Sequence, residues 1–84
     1  MRDFKNGKIY SIRCYSNLDL LYIGSTCQQL SRRWTDHRKD SKTRNSLVYK
    51  IIRENGGIDN FYIELVENFP CDSLEQLNKE KERL

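Results

Sequence analysis

Two stretches decide the architecture: Lys8-Ile9-Tyr10-Ser11-Ile12-Arg13-Cys14 and Leu20-Leu21-Tyr22-Ile23-Gly24-Ser25. In the first, Ile9, Tyr10 and Ile12 favour extended backbone. Between the two lies Ser16-Asn17-Leu18-Asp19, a turn candidate because Asn and Asp side chains bond to nearby backbone. The pair therefore reads as an antiparallel hairpin. Gly24 stands at the end of the second strand, where a side chain would block close backbone approach.

A helix is expected next, over residues 29–40. Leu30, Arg33, Trp34 and His37 recur at i, i+3, i+4 and i+7 and so share one face. Two of these four are polar, which an ordinary core helix would not place there. Arg32 lies about 160° from Leu30 on the helical wheel and should meet solvent. Asp40 to Asn45 reads as a polar loop, and Ser46 as the N-cap of a second helix over 47–55, with Leu47/Ile51 and Val48/Ile52 as its apolar face. On that helix Tyr49 and Lys50 read as surface residues. Asn55-Gly56-Gly57 ends it, because glycine accepts the left-handed conformation past a helix C-terminus. A third strand is expected over 60–67, with Phe61, Ile63 and Leu65 alternating onto one face. Pro70 breaks the chain, and Ser73-Leu74-Glu75-Gln76 is a capping box that opens a third helix. Its buried stripe would be Leu74, Leu77 and Leu84. Glu80 lies about 60° from Leu77, which makes it the one carboxylate of that helix expected near the sheet. The class is α+β: a small three-stranded antiparallel sheet flanked by three helices, in the order β-β-α-α-β-α. Residues 1–84 read as a single domain that stops inside its apolar pattern at Leu84, and we expect it to be truncated there.

Bulk properties narrow the function classes. Mean hydropathy is −0.83 and no apolar run is long enough to span a bilayer, so no membrane partner is expected. The N-terminus carries no export signal, so the expected location is intracellular: cytoplasm, nucleus or a virus-infected host cell. Cys14, Cys27 and Cys71 are too few and too irregularly spaced for a disulfide framework or a zinc site, and read as small apolar residues in a reducing compartment. Charge is uneven. Residues 1–58 hold 12 Lys and Arg against 5 Asp and Glu, whereas residues 59–84 hold 3 against 7. A concentrated basic stretch containing Arg32, Arg33, Arg38, Lys42, Lys50 and Arg53 suits a polyanion such as DNA.

Together these residues resemble the GIY-YIG nuclease superfamily, whose members include homing endonucleases. Lys8-Ile9-Tyr10 matches the GIY element with Lys in place of its glycine, and Tyr22-Ile23-Gly24 matches the YIG element. Leu30-x-x-Arg33-Trp34-x-x-His37 looks like the family's first helix with its catalytic arginine, and Lys79-Glu80-Lys81-Glu82 like the helix that supplies the metal-binding glutamate. The resemblance covers residues 8–84. Two features of the family are not matched: a further element after the glutamate helix, commonly bearing an asparagine, and a separate DNA-binding domain.

The resemblance implies a metal-dependent DNA endonuclease, with Mg²⁺ or Mn²⁺ held by Glu80 and no small-molecule cofactor. Hydrolysing a phosphodiester requires a deprotonated water, stabilised charge on the phosphate and a neutralised leaving oxygen. Mg²⁺ often takes only one or two protein carboxylates, so a single Glu suffices. Arg33 is the expected phosphate clamp, because a guanidinium offers two parallel donors; its bland reading is an Arg stem packed on Trp34. Tyr10 and Tyr22 lie on neighbouring strands, and one of them is expected to activate water, its phenol acidified by nearby positive charge. His37 would protonate the leaving oxygen, relay a proton or hold phosphate, or else be a histidine at the core's edge. Arg33, Arg38, Lys42 and Lys50 are the expected DNA-backbone contacts. A monomer of viral or mobile-element origin is expected, and a nuclease-derived module that binds nucleic acid without cutting is the alternative.

Overall fold

The computed structural model describes residues 3–84. Strand β1 (Lys8–Cys14) pairs antiparallel with β2 (Leu21–Thr26) on one side and with β3 (Phe61–Asn68) on the other, giving the sheet order β2-β1-β3. Helices α1 (Leu30–Thr43) and α2 (Leu47–Glu54) separate β2 from β3 in the chain, and α3 (Leu74–Arg83) follows β3. Class, sheet and element order agree with the sequence reading.

The hairpin turn forms as its side chains dictate: Asp19 N–H donates to Asn17 Oδ1 at 3.1 Å. In the resulting register Tyr10 stands opposite Gly24 and Ile12 opposite Tyr22. Tyr10, Ile12 and Cys14 point to one face, where they pack with Tyr49 and Ile52 of α2, Ile58 and Phe61; Leu30 and Trp34 of α1 close over them. Ile9 points to the other face and packs with Leu77 of α3 and Cys71. A β-bulge in β3 sets Leu65 opposite Tyr10 and Glu67 opposite Ile9, so Glu67 is turned onto the α3 face.

Helix ends follow local chemistry. Gly56, at φ +99°, lets Gly57 N–H reach Ile52 O at 2.9 Å and closes α2. Ser73 Oγ accepts from Gln76 N–H, while Gln76 Oε1 accepts from Asp72 N–H at 2.7 Å, which starts α3. Ser46 caps α2 differently from expectation. Its side chain makes no capping bond, and its carbonyl accepts from Tyr49 and Lys50. Helix α1 also outruns the expected 29–40, absorbing part of the supposed loop. The reason lies in α2: Arg53 Nη1 donates to Ser41 O at 2.7 Å and Arg44 O at 2.8 Å, supplying donors and positive charge to the otherwise unpaired C-terminal carbonyls of α1.

Three apolar expectations are corrected. Leu47 is 73% exposed, because α2 buries the Tyr49/Ile52 edge instead. Leu47 lies on the rim of an apolar groove of about 360 Å³, with Ile51, Leu20 and Leu21. Of the leucine stripe on α3, Leu77 is buried but Leu74 and Leu84 are exposed, since that helix meets the sheet through its middle turn. Tyr49, expected at the surface, belongs to the core.

Gly24 is required by contact rather than by backbone angle. A Cβ there would overlap the Tyr10 ring, 2.8 Å from Cε2 and 2.5 Å from the hydroxyl oxygen. Gly24→Ala should therefore cost about 2 kcal/mol through overpacking, seen as a fall in Tm of roughly 10 °C. An unchanged melting curve would show that Tyr10 does not occupy this position.

Candidate active site

Four elements deliver side chains to one cluster beneath α1. Strand β1 contributes Tyr10, which has no exposed surface. Its hydroxyl lies 2.8 Å from His37 Nε2 and accepts from Arg33 Nε at 3.2 Å. Arg33 and His37 come from successive turns of α1, as their i, i+4 spacing requires. His37 is 1% exposed, and its Nδ1 lies 3.0 Å from the Tyr49 hydroxyl of α2. The rings of Tyr22, from β2, and Trp34 stand with centroids 6.3 Å from that of His37. Tyr10, Tyr22, Arg33 and His37 are thus brought together, and Arg32 is exposed on the far side of its helix.

Arg33 links this cluster to the surface. Its Nε is committed to Tyr10, and among the described residues no hydrogen bond uses its two terminal nitrogens. The side chain lines a polar groove of about 610 Å³ that also touches Ser25, Thr26, Gln28, Asp36 and Leu77. A guanidinium held by one nitrogen presents its remaining donors as a fork.

Burial sets the electrostatics. His37 is pushed down to about 4, first by loss of water and then by the Arg33 charge, so its imidazole is neutral at pH 7. Burial raises the Tyr10 phenol above its ordinary value, outweighing the opposing effect of Arg33. The expectation that Arg33 would make this phenol more acidic is corrected. The guanidinium acts in that direction, but desolvation of a wholly buried phenolate is larger. Burial likewise raises Tyr49.

Glu80 lies on the other helix layer. Its side chain is 11% exposed, and both carboxylate oxygens accept from Arg83, from Nε at 2.8 Å and from Nη2 at 2.5 Å. This pairing holds Glu80 at about 2, well below the usual carboxylate range. No hydrogen bond or ion pair joins Glu80 to Arg33, Tyr10 or His37 among the described residues; Leu77, one turn earlier on α3, lines the Arg33 groove. Glu67 adjoins Glu80, and their interaction raises Glu67. Glu67 Oε1 is shielded from water without a hydrogen-bond donor and stands 3.8 Å from Arg83 Nη2. Arg83 is the cation that reconciles the two carboxylates, held closely by Glu80 and standing farther from Glu67. Among the described residues no group of three or more His, Cys, Asp or Glu gathers as a metal cage. A pair of carboxylates still fits a hard divalent ion that keeps most of its waters, and Glu80 with Glu67 are the residues that could hold one.

The sequence reading missed Tyr49 and Glu67. Tyr49 is signalled by its i, i+3 relation to Ile52, which competes with the Leu47/Ile51 stripe. Glu67 is hidden by the bulge, since uninterrupted alternation would put it on the face of Leu65. Of the expected DNA contacts, Lys42 and Lys50 are exposed, whereas Arg38 is paired with Asp59 at 3.0 Å.

A small antiparallel sheet thus carries a Tyr-Arg-His cluster that opens on a polar groove. The family model described as the GIY-YIG catalytic domain matches residues 6–83, and the chain belongs to that family. Over 75 residues the chain is 33% identical to protein 146R of Invertebrate iridescent virus 6, which is named for an MSV199 domain. The match covers 88% of this chain and 30% of the viral protein, so the chain spans less than a third of its relative's length. No solved structure matches the chain. Among the described residues no helix is long and apolar enough to cross a membrane.

The neutral His37 makes stability depend on pH. The unfolded chain binds a proton near the ordinary value of 6.5 and the folded one only near 4, so stability is full above 6.5 and is lost as pH falls between the two. The loss is on the order of 3 kcal/mol. Urea midpoints at pH 7 and pH 4.5 should differ less in His37→Gln than in wild type; equal differences would show that His37 is not neutral in the fold.

Proposed function

We propose that this domain is a metal-dependent DNA endonuclease that hydrolyses a phosphodiester bond. The observation that carries this reading is Arg33: its Nε is fixed inside the fold by Tyr10, and its side chain lines an open polar groove. A buried anchor with a free fork fits a phosphate, whose two non-bridging oxygens match parallel N–H donors. Such preorganised donors stabilise charge as it develops, without reorganisation at the moment of reaction.

The tyrosines divide the work. Tyr10 has no exposed surface and acts by holding Arg33. Tyr22, half-buried on the edge strand with its ring near that of His37, is assigned the attacking water and its proton, as the phenol of the two that is not sealed. His37, neutral and enclosed, does not donate to the leaving oxygen; it braces Tyr10. Glu80, with Glu67 beside it, would hold Mg²⁺ or Mn²⁺, which when bound would supply Lewis-acid polarisation of the phosphate. Arg83 keeps the Glu80 carboxylate ionised and oriented until then. Lys42, Lys50 and Arg38 contribute diffuse attraction for the DNA backbone, Arg38 least because of its bond to Asp59. The viral relative is in keeping with a viral or mobile-element origin.

Nicking of supercoiled plasmid with Mg²⁺ or Mn²⁺ tests the reading. Arg33→Ala should slow nicking by roughly 100-fold or more, the usual consequence of removing a transition-state donor. Glu80→Ala should do the same, and Arg32→Ala should retain the wild-type rate. Equal losses at Arg32 and Arg33 would refute the assignment. Salt-sensitive binding without cutting by any form would point instead to a binding module.

A further inference from the structure

We infer that Tyr49 is a positioning residue of this site: its hydroxyl receives the Nδ1 proton of His37 and closes a one-way hydrogen-bond chain, from Arg33 to Tyr10 to His37 to Tyr49, that holds the guanidinium on the groove. The inference rests on the nuclease reading for its consequence in catalysis, but not for its geometry.

The direction of the chain follows from its first member. Arginine N–H groups only donate, so the 3.2 Å bond from Arg33 Nε makes the Tyr10 oxygen an acceptor. Tyr10 is wholly buried, and the other partner of its hydroxyl among the described residues is His37 Nε2 at 2.8 Å. If Nε2 carried a proton, the Tyr10 oxygen would receive two protons while its own had no acceptor. A buried unsatisfied donor costs about 1–3 kcal/mol. Tyr10, with no exposed surface, therefore donates to Nε2, and the unmatched hydroxyl proton falls to Tyr49, which keeps 7% exposure. A neutral imidazole with a bare Nε2 carries its proton on Nδ1, and that proton points at the Tyr49 hydroxyl, 3.0 Å away. This is the tautomer that free histidine disfavours, so the surroundings must impose it.

Tyr49 is what makes that tautomer affordable inside the core. Without its hydroxyl, Nδ1–H is buried with no acceptor. The strain is relieved by moving the proton to Nε2 or by turning the ring, and either change removes the acceptor from Tyr10 and loosens its hold on Arg33. The residue sits in the first two turns of α2, with Ile52 packed one turn on, so its ring position is fixed by the core and its hydroxyl by the histidine.

His37 is the one histidine of the chain, so imidazole ¹⁵N spectra of the whole labelled protein at pH 7 read its tautomer without assignment. Wild type should show a protonated Nδ1 and a bare Nε2. Tyr10→Phe should move the population away from the pure Nδ1–H state, because Nε2 then loses the donor that kept it bare. Tyr49→Phe should lose the pure Nδ1–H state and lower kcat for plasmid nicking about tenfold, with KM for DNA nearly unchanged. A protonated Nε2 in wild type overturns the proposal, and so does a Tyr49→Phe protein that keeps both the wild-type spectrum and kcat. If wild type shows the expected tautomer but cuts no DNA, the nuclease reading fails while the chain's direction stands.

Discussion

The Tyr10 hydroxyl is the point on which the structure turns. It is a single oxygen, sealed from water, with Arg33 on one side and His37 on the other. Sealing it requires the ring to lie flat against β2, which requires Gly24 opposite. Reaching it requires Arg33 and His37 on adjacent turns of α1, and an α1 long enough for Arg53 of α2 to bind its far end. Strand register, helix phase and helix–helix docking are thereby tied to one another through one polar atom. A buried polar cluster is costly unless every member is satisfied. Here a strict order of donors satisfies the two sealed members, Tyr10 and His37, beginning at the one group of the cluster that cannot accept.

The same cluster explains why a thin core tolerates charge. Arg33 is partly buried next to a neutral imidazole and two neutral phenols, and among the described residues no ion pair commits its charge, although Asp36 lines the same groove. Its charge remains available to the groove. On the opposite layer the logic is reversed. Glu80 is tightly neutralised by Arg83, and Glu67 is crowded against it with one oxygen lacking a donor. The domain thus separates a groove lined by a guanidinium from a pair of carboxylates on the other layer, with Leu77 reaching the groove from the carboxylates' helix.

Much of this was legible in the chain. Strand and helix identities followed from periodicity, and the i, i+3, i+4, i+7 set on α1 exposed Arg33 and His37 because polar residues on a buried stripe have no packing reason to be there. Glu80 was legible for the same reason, as the carboxylate beside Leu77. What stayed hidden depended on contacts between elements. The length of α1 depends on Arg53, a residue of another helix. The burial of Tyr49 depends on how α2 rolls against the sheet, which its two competing apolar stripes leave open. The placement of Glu67 depends on a bulge, a one-residue insertion with no glycine to announce it. The acidity of Tyr10 was misjudged because charge proximity is visible in a sequence pattern and complete desolvation is not.

The central claim is that Tyr10 serves the reaction through Arg33 and has no separate chemical role. A double-mutant cycle on the nicking rate measures this directly, combining Tyr10→Phe with Arg33→Lys, which keeps the charge but removes the Nε donor. If the account is right, Tyr10→Phe slows the wild-type protein and has almost no further effect once Arg33→Lys is in place. Losses that multiply as independent factors would contradict it, and would mean that Tyr10 acts on the substrate or on water in its own right.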